Sequence, residues 1–128
     1  DAVSWVKGAL GHYWGGPRLS SSPLMKLRIV EGEKSRHHGN SVLALRSILK
    51  SAIEDLKPEG QRKFTTEWLL YNILELKFLQ GLKVREIAIK LSVSEADYYR
   101  KQRVAINGVL ERIVERESES DFNVVGTN

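Results

Sequence analysis

Apolar residues recur at helical spacing along most of the chain, and no stretch of useful length alternates with the two-residue period of a β-strand. That pattern confines the fold to the all-α class. The cleanest stripe is Val42, Leu45, Ile48, Leu49, Ala52, Ile53 and Leu56, which predicts a helix from Ser41 to Leu56. Lys57-Pro58-Glu59-Gly60 ends it. Thr65 or Thr66 is suited to cap a further helix running to about Gln80. That helix carries Trp68, Leu69, Leu70, Ile73, Leu74, Leu76, Phe78 and Leu79 around much of its circumference, so it is expected to be the most buried element. Gly81 suits its C-terminal stop.

The flanking segments are weaker. Residues 2–13 read as a short amphipathic helix stopped by Gly15-Gly16-Pro17. Ser22-Pro23 pairs a serine cap with a proline at the first helical position, predicting a short helix over Leu24–Val30. Residues 31–40 are polar with two glycines and read as a loop. Two closely joined helices follow Gly81, one over Val84–Leu91 and one from Ser94 to about Glu115. The expected architecture is an all-α helical bundle of about six helices containing a helix-turn-helix. It forms a single domain over residues 1–116, with N-terminal helices in 1–60, and residues 117–128 as a linker or disordered tail.

At 128 residues the chain is one domain's worth, large enough for a real core. It has no cysteine, which excludes disulfides, thiolate metal sites and a catalytic cysteine. No apolar run approaches the roughly 20 residues of a membrane span. Asp1 opens the chain without an initiator methionine or a basic signal-peptide start, and the expectation is a domain excised from a larger multidomain protein. The net charge of +4 is spread thinly, with nine basic and six acidic residues in 1–60 and eleven and ten in 61–128. Local clustering therefore matters more than the total.

The most informative segment is Val84-Arg-Glu-Ile-Ala-Ile-Lys-Leu-Ser-Val-Ser-Glu-Ala-Asp-Tyr-Tyr-Arg100. A helix-turn-helix needs a small residue where its helices meet, which is Ala88, and an inward side on the first helix, which is Ile87 and Leu91. The short turn must dip one apolar residue inward, and Val93 stands between two serines. Ser94 can cap the second helix, with Asp97 three residues on in a capping-box-like position. Tyr98, Ala105, Val109 and Ile113 supply its inward stripe, which leaves the opposite face free for a groove.

Ile73-Leu-Glu-Leu-Lys-Phe-Leu-Gln-Gly-Leu82, followed by Glu86-Ile-Ala and Leu91-Ser-Val-Ser, resembles region 4 of bacterial RNA polymerase sigma factors and the related response-regulator-type helix-turn-helix domains. The resemblance covers residues 66–114 and implies a bacterial, cytoplasmic transcriptional regulator whose second helix lies in the major groove of double-stranded DNA. Carried over by position, it implies groove-facing roles for Glu95, Ala96, Tyr99, Arg100 and Arg103, and places Arg85 and Lys101 toward phosphates. The chemistry agrees. Arginine grips guanine O6 and N7, glutamate can accept from cytosine N4, and Ser94 stands at a helix N-terminus, where backbone N–H groups meet phosphate. The sequence departs from the pattern in the acidic tip Glu95/Asp97, which repels phosphate, and in Gln102, where the family prefers an apolar residue. Residues 83–103 hold six basic and three acidic residues, a modest footprint that predicts weak binding unless the protein dimerises or is tethered.

Other motifs favour structure over chemistry. His37-His38 lacks a partner set for zinc, and Glu54 and Asp55, as helix neighbours, point about 100° apart and do not converge. Ser20–Ser22 have no partnered base, and Gly15-Gly16-Pro17 lacks the lysine and spacing of a phosphate loop. No enzyme, metal or cofactor is expected. The competing function is a protein–protein interaction module that keeps the fold. In it the acidic-tipped helix, or the helices bearing Trp5 and Trp14, would meet a protein partner or another domain of the parent chain.

Overall fold

The computed structural model describes residues 1–60 and 65–126, with side chains to Ser120. Among the described residues every regular element is a helix and there is no strand. Its helices are α1 (Ala2–Gly11), α2 (Pro17–Ser20), α3 (Arg28–Glu33), α4 (Ser41–Asp55), α5 (Thr66–Leu74), α6 (Val84–Leu91) and α7 (Glu95–Gly126). Two 3₁₀ turns, Pro23–Lys26 and Lys34–His37, and one π-turn, Glu75–Leu79, complete them.

The all-around apolarity of residues 66–80 has a specific cause. α5 and its π-turn form the wall between two cores. Trp68, Tyr71, Leu74 and Phe78 face the larger core, with Val6, Leu10, Leu45, Leu49, Ile53, Ile106 and Val109. Ile73 and Leu76 face a smaller core with Ile87, Leu91 and Tyr98 beneath the helix-turn-helix. The two cores share α5 with its π-turn and α7, which gives Tyr98 to the smaller core and Ala105, Ile106 and Val109 to the larger, so the orientation of the helix-turn-helix is tied to the N-terminal helices. Thr65 is the cap of α5, its hydroxyl accepting from the Trp68 N–H at 3.4 Å. Gly81, at φ +75°, takes the left-handed conformation that turns the chain out of the π-turn toward α6.

Several elements differ from their sequence-based expectation. The Leu24–Val30 helix is split. Ser22 caps only the 3₁₀ turn, accepting from the Leu24 N–H at 3.1 Å, and Leu27 at ψ 143° breaks the run before α3. Much of the expected 31–40 loop is helical, comprising the end of α3 and the second 3₁₀ turn. The short α2 was not anticipated, and α1 ends at Gly11 although Tyr13 is still buried. The expected tail from Glu117 continues α7 instead, as far as Gly126. Thr127 and Asn128 lie outside the described residues.

The extension of α7 past Glu115 brings a side chain to α3. α3 has Leu27 at its N-cap and no capping side chain of its own. Its exposed N–H groups are met from α7. The Glu117 carboxylate accepts from the Arg28 N–H at 3.0 Å and the Ile29 N–H at 3.1 Å. A second tie joins α4 to α7. Asp55 Oδ2 lies 2.7 Å from Arg112 and 2.6 Å from Arg116, which also donates to Ser51 at 2.6 Å. Arg112 reaches Glu115 at 2.6 Å as well, and these carboxylates, Asp55 first, hold its guanidinium above its ordinary pKa.

Candidate nucleic-acid interface

The turn between α6 and α7 is built from three residues. Ser92 adopts the left-handed conformation at φ 57°, and the Val93 N–H closes back on the Ala88 carbonyl at 3.0 Å. Val93 is half-buried and packs against the smaller core. Ser94 then caps α7, its hydroxyl accepting from the Asp97 N–H at 3.0 Å. The capping box is half made, because the Asp97 carboxylate points along the helix to Arg100 Nη2 at 3.5 Å.

The inward stripe is seated as the spacing required: Tyr98, Ala105, Val109 and Ile113 are all buried. Gln102 is buried beside them because the Tyr98 hydroxyl donates to its Oε1. A polar residue is therefore accommodated at an otherwise apolar position by a buried partner. Burial, with a smaller contribution from Tyr99, raises the Tyr98 phenol above its ordinary pKa.

Opposite that stripe, Ala96, Tyr99, Arg100 and Arg103 are exposed. Their i, i+3, i+4, i+7 spacing puts them on one face of α7. Tyr99 is half exposed, its ring set edge-on to Tyr98 at 5.3 Å. Glu95 is exposed at the tip, and Arg85 is exposed on α6. Lys101 follows Arg100 by one position, so it turns about 100° from the Arg100 direction, and it is half-buried. The Arg100–Asp97 pair is long and solvent-exposed, a contact of small worth that leaves the guanidinium able to exchange partners.

The charge on α7 is divided along its length. Arg100, Lys101 and Arg103 are succeeded by exposed Glu111, Glu115 and Glu119. With Glu95 and Asp97 in the first turn, the cations that favour contact with a polyanion are confined to the second and third turns. One further cation borders that region. A depression of about 420 Å³ is lined by Asp1, the cap of α1, and by Val3 and Lys7 of α1, together with Tyr99 and Arg103 of α7. Sequence reasoning missed Lys7, since nothing in residues 2–13 tells which later helix α1 will flank.

The remaining motifs are structural. Glu54 accepts from the Tyr71 hydroxyl at 3.3 Å while Asp55 serves α7, so the adjacent acids have separate partners. His37 Nε2 lies 3.4 Å from Glu33, and His38 is an exposed left-handed residue in the following turn. Among the described residues there is no cluster of three His, Cys, Asp or Glu side chains fit to hold a metal, and no helix is long and apolar enough to cross a membrane. No family model, curated protein or solved structure matches the chain.

Proposed function

We propose that this is the double-stranded DNA-binding domain of a transcriptional regulator, acting in the cytoplasm, with no catalytic activity and no cofactor. The observation that carries the reading is the exposed Ala96/Tyr99/Arg100/Arg103 face, presented at the capped start of α7 with its back locked to the small core by Tyr98. A rigid helix start offering two arginines and an aromatic residue suits the major groove. Arg100 and Glu95 contact base edges, Arg103 and Tyr99 flank them, and Arg85, Lys101 and the Ser94 end of the helix meet phosphates.

The residue-level test is Arg100→Ala against a selected DNA site. A cost of about 1–3 kcal/mol with relaxed preference at one base pair supports base reading. An equal loss on every sequence makes Arg100 a phosphate contact instead. A protein-binding role for the same fold draws support from Ile89, 72% exposed on the outer side of α6. That reading predicts that Ile89→Ser abolishes partner capture by the full-length protein while any DNA affinity is unchanged.

A further inference from the structure

Trp14 is the most exposed tryptophan, at 67%, yet it is not loose. Its indole Nε1–H donates to the Leu79 carbonyl at 2.9 Å, at the end of the π-turn. Its ring stands edge-on to Tyr13 at 4.9 Å, and the Arg46 guanidinium lies 5.4 Å from its centre. Arg46 is itself fixed, donating to the Tyr13 carbonyl at 2.7 Å. A large ring held this firmly while facing solvent is organised in advance for contact. Beside it is a depression of about 310 Å³ lined by Trp14, Lys77 and the glycines Gly11, Gly15 and Gly81, where the missing side chains leave room for close approach.

The position of this depression identifies its occupant. Gly81 stands two residues before Lys83, the N-cap of α6. The C-terminal end of α6 adjoins the start of α7. In helix-turn-helix docking the helix before the reading helix crosses the DNA backbone, so with α7 in the groove α6 faces a phosphate strand. Lys77, Lys83 and Arg85 provide the cations there, and Trp14 provides a rigid wall.

We infer that Trp14 and Lys77 form a second contact that holds the sugar–phosphate backbone of duplex DNA beside the groove occupied by α7. The inference rests on the DNA-binding reading. It adds a contact drawn from the N-terminal helices, and it gives those helices a role in binding.

The test compares the unaltered protein with Lys77→Gln and Trp14→Ala by fluorescence anisotropy on a labelled random duplex across a salt series, with helicity checked by circular dichroism. Lys77→Gln is expected to lower the slope of log affinity against log salt by about one. Trp14→Ala is expected to weaken binding several-fold with the slope nearly unchanged. If the protein binds DNA and folded Lys77→Gln keeps both affinity and slope, the second contact is wrong while the α7 reading stands. If the unaltered protein fails to bind, the DNA reading itself falls, and an acidic protein becomes the ligand to test at Trp14.

Discussion

Glu117 and Ile29 are 88 residues apart in sequence, yet the Glu117 carboxylate accepts the Ile29 N–H at 3.1 Å and, with its other oxygen, the neighbouring Arg28 N–H. One side chain thus supplies the cap that α3 lacks and fastens the N-terminal helices to α7. Glu117→Ala is expected to cost about 1 kcal/mol in urea unfolding, with faster hydrogen exchange at the Arg28 and Ile29 amides. Glu117→Gln should recover part of the loss, because an amide oxygen still accepts. Unchanged stability would mean that water caps α3 equally well.

Ser92 sits in the left-handed region without being glycine. Such a residue carries roughly 1 kcal/mol of backbone cost, of which the greater freedom of glycine in the unfolded chain offsets a part. Ser92→Gly should therefore stabilise the protein by up to about 1 kcal/mol without altering DNA affinity. A loss of stability in denaturant titration would show that the Ser92 side chain contributes more than its backbone strain costs.

The Asp55 tie to Arg112 and Arg116 is partly exposed, so its contribution depends on ionic strength. Asp55→Asn should lower the melting temperature at low salt and lower it less near about 1 M salt. An equal drop at both would assign the effect to lost packing or hydrogen bonding.

Alkaline pH acts on the buried phenols. Tyr13, Tyr71 and Tyr98 all have pKa values raised above the ordinary tyrosine value, chiefly by burial. In the unfolded chain they ionise near pH 10, while in the folded protein each ionises at higher pH. Their contribution is complete below about pH 10 and declines as pH rises beyond it, by up to about 1.4 kcal/mol per pH unit for each phenol. Urea unfolding between pH 8 and 11.5 should show this decline. Tyr98→Phe should be less stable at pH 8, because it removes the donor to Gln102, and should lose less on raising the pH.

Locally encoded features were legible in the sequence. The α4 stripe, the Thr65 and Ser94 caps, the Gly81 stop and the inward set Tyr98, Ala105, Val109 and Ile113 depend on neighbours within a turn or two. What escaped depends on distant partners. The start of α3 carries no cap signal of its own because its cap lies in α7, and α7 looks finished at Glu115 because the next anchor, Glu117, serves another helix. In the candidate interface, the α7 face could be read from spacing. Lys7 beside Arg103 and Trp14 beside Lys77 could not, because each pair joins segments far apart in the chain.

The start of α7 is the surface proposed to bind duplex DNA. The most direct measurement is the fluorescence anisotropy of a labelled random duplex titrated with this domain at several salt concentrations. Binding is expected to weaken steeply with salt, since phosphate contacts release counterions. Absence of binding at low salt by folded protein at concentrations above about 100 µM, where even non-specific DNA binders associate, would contradict it.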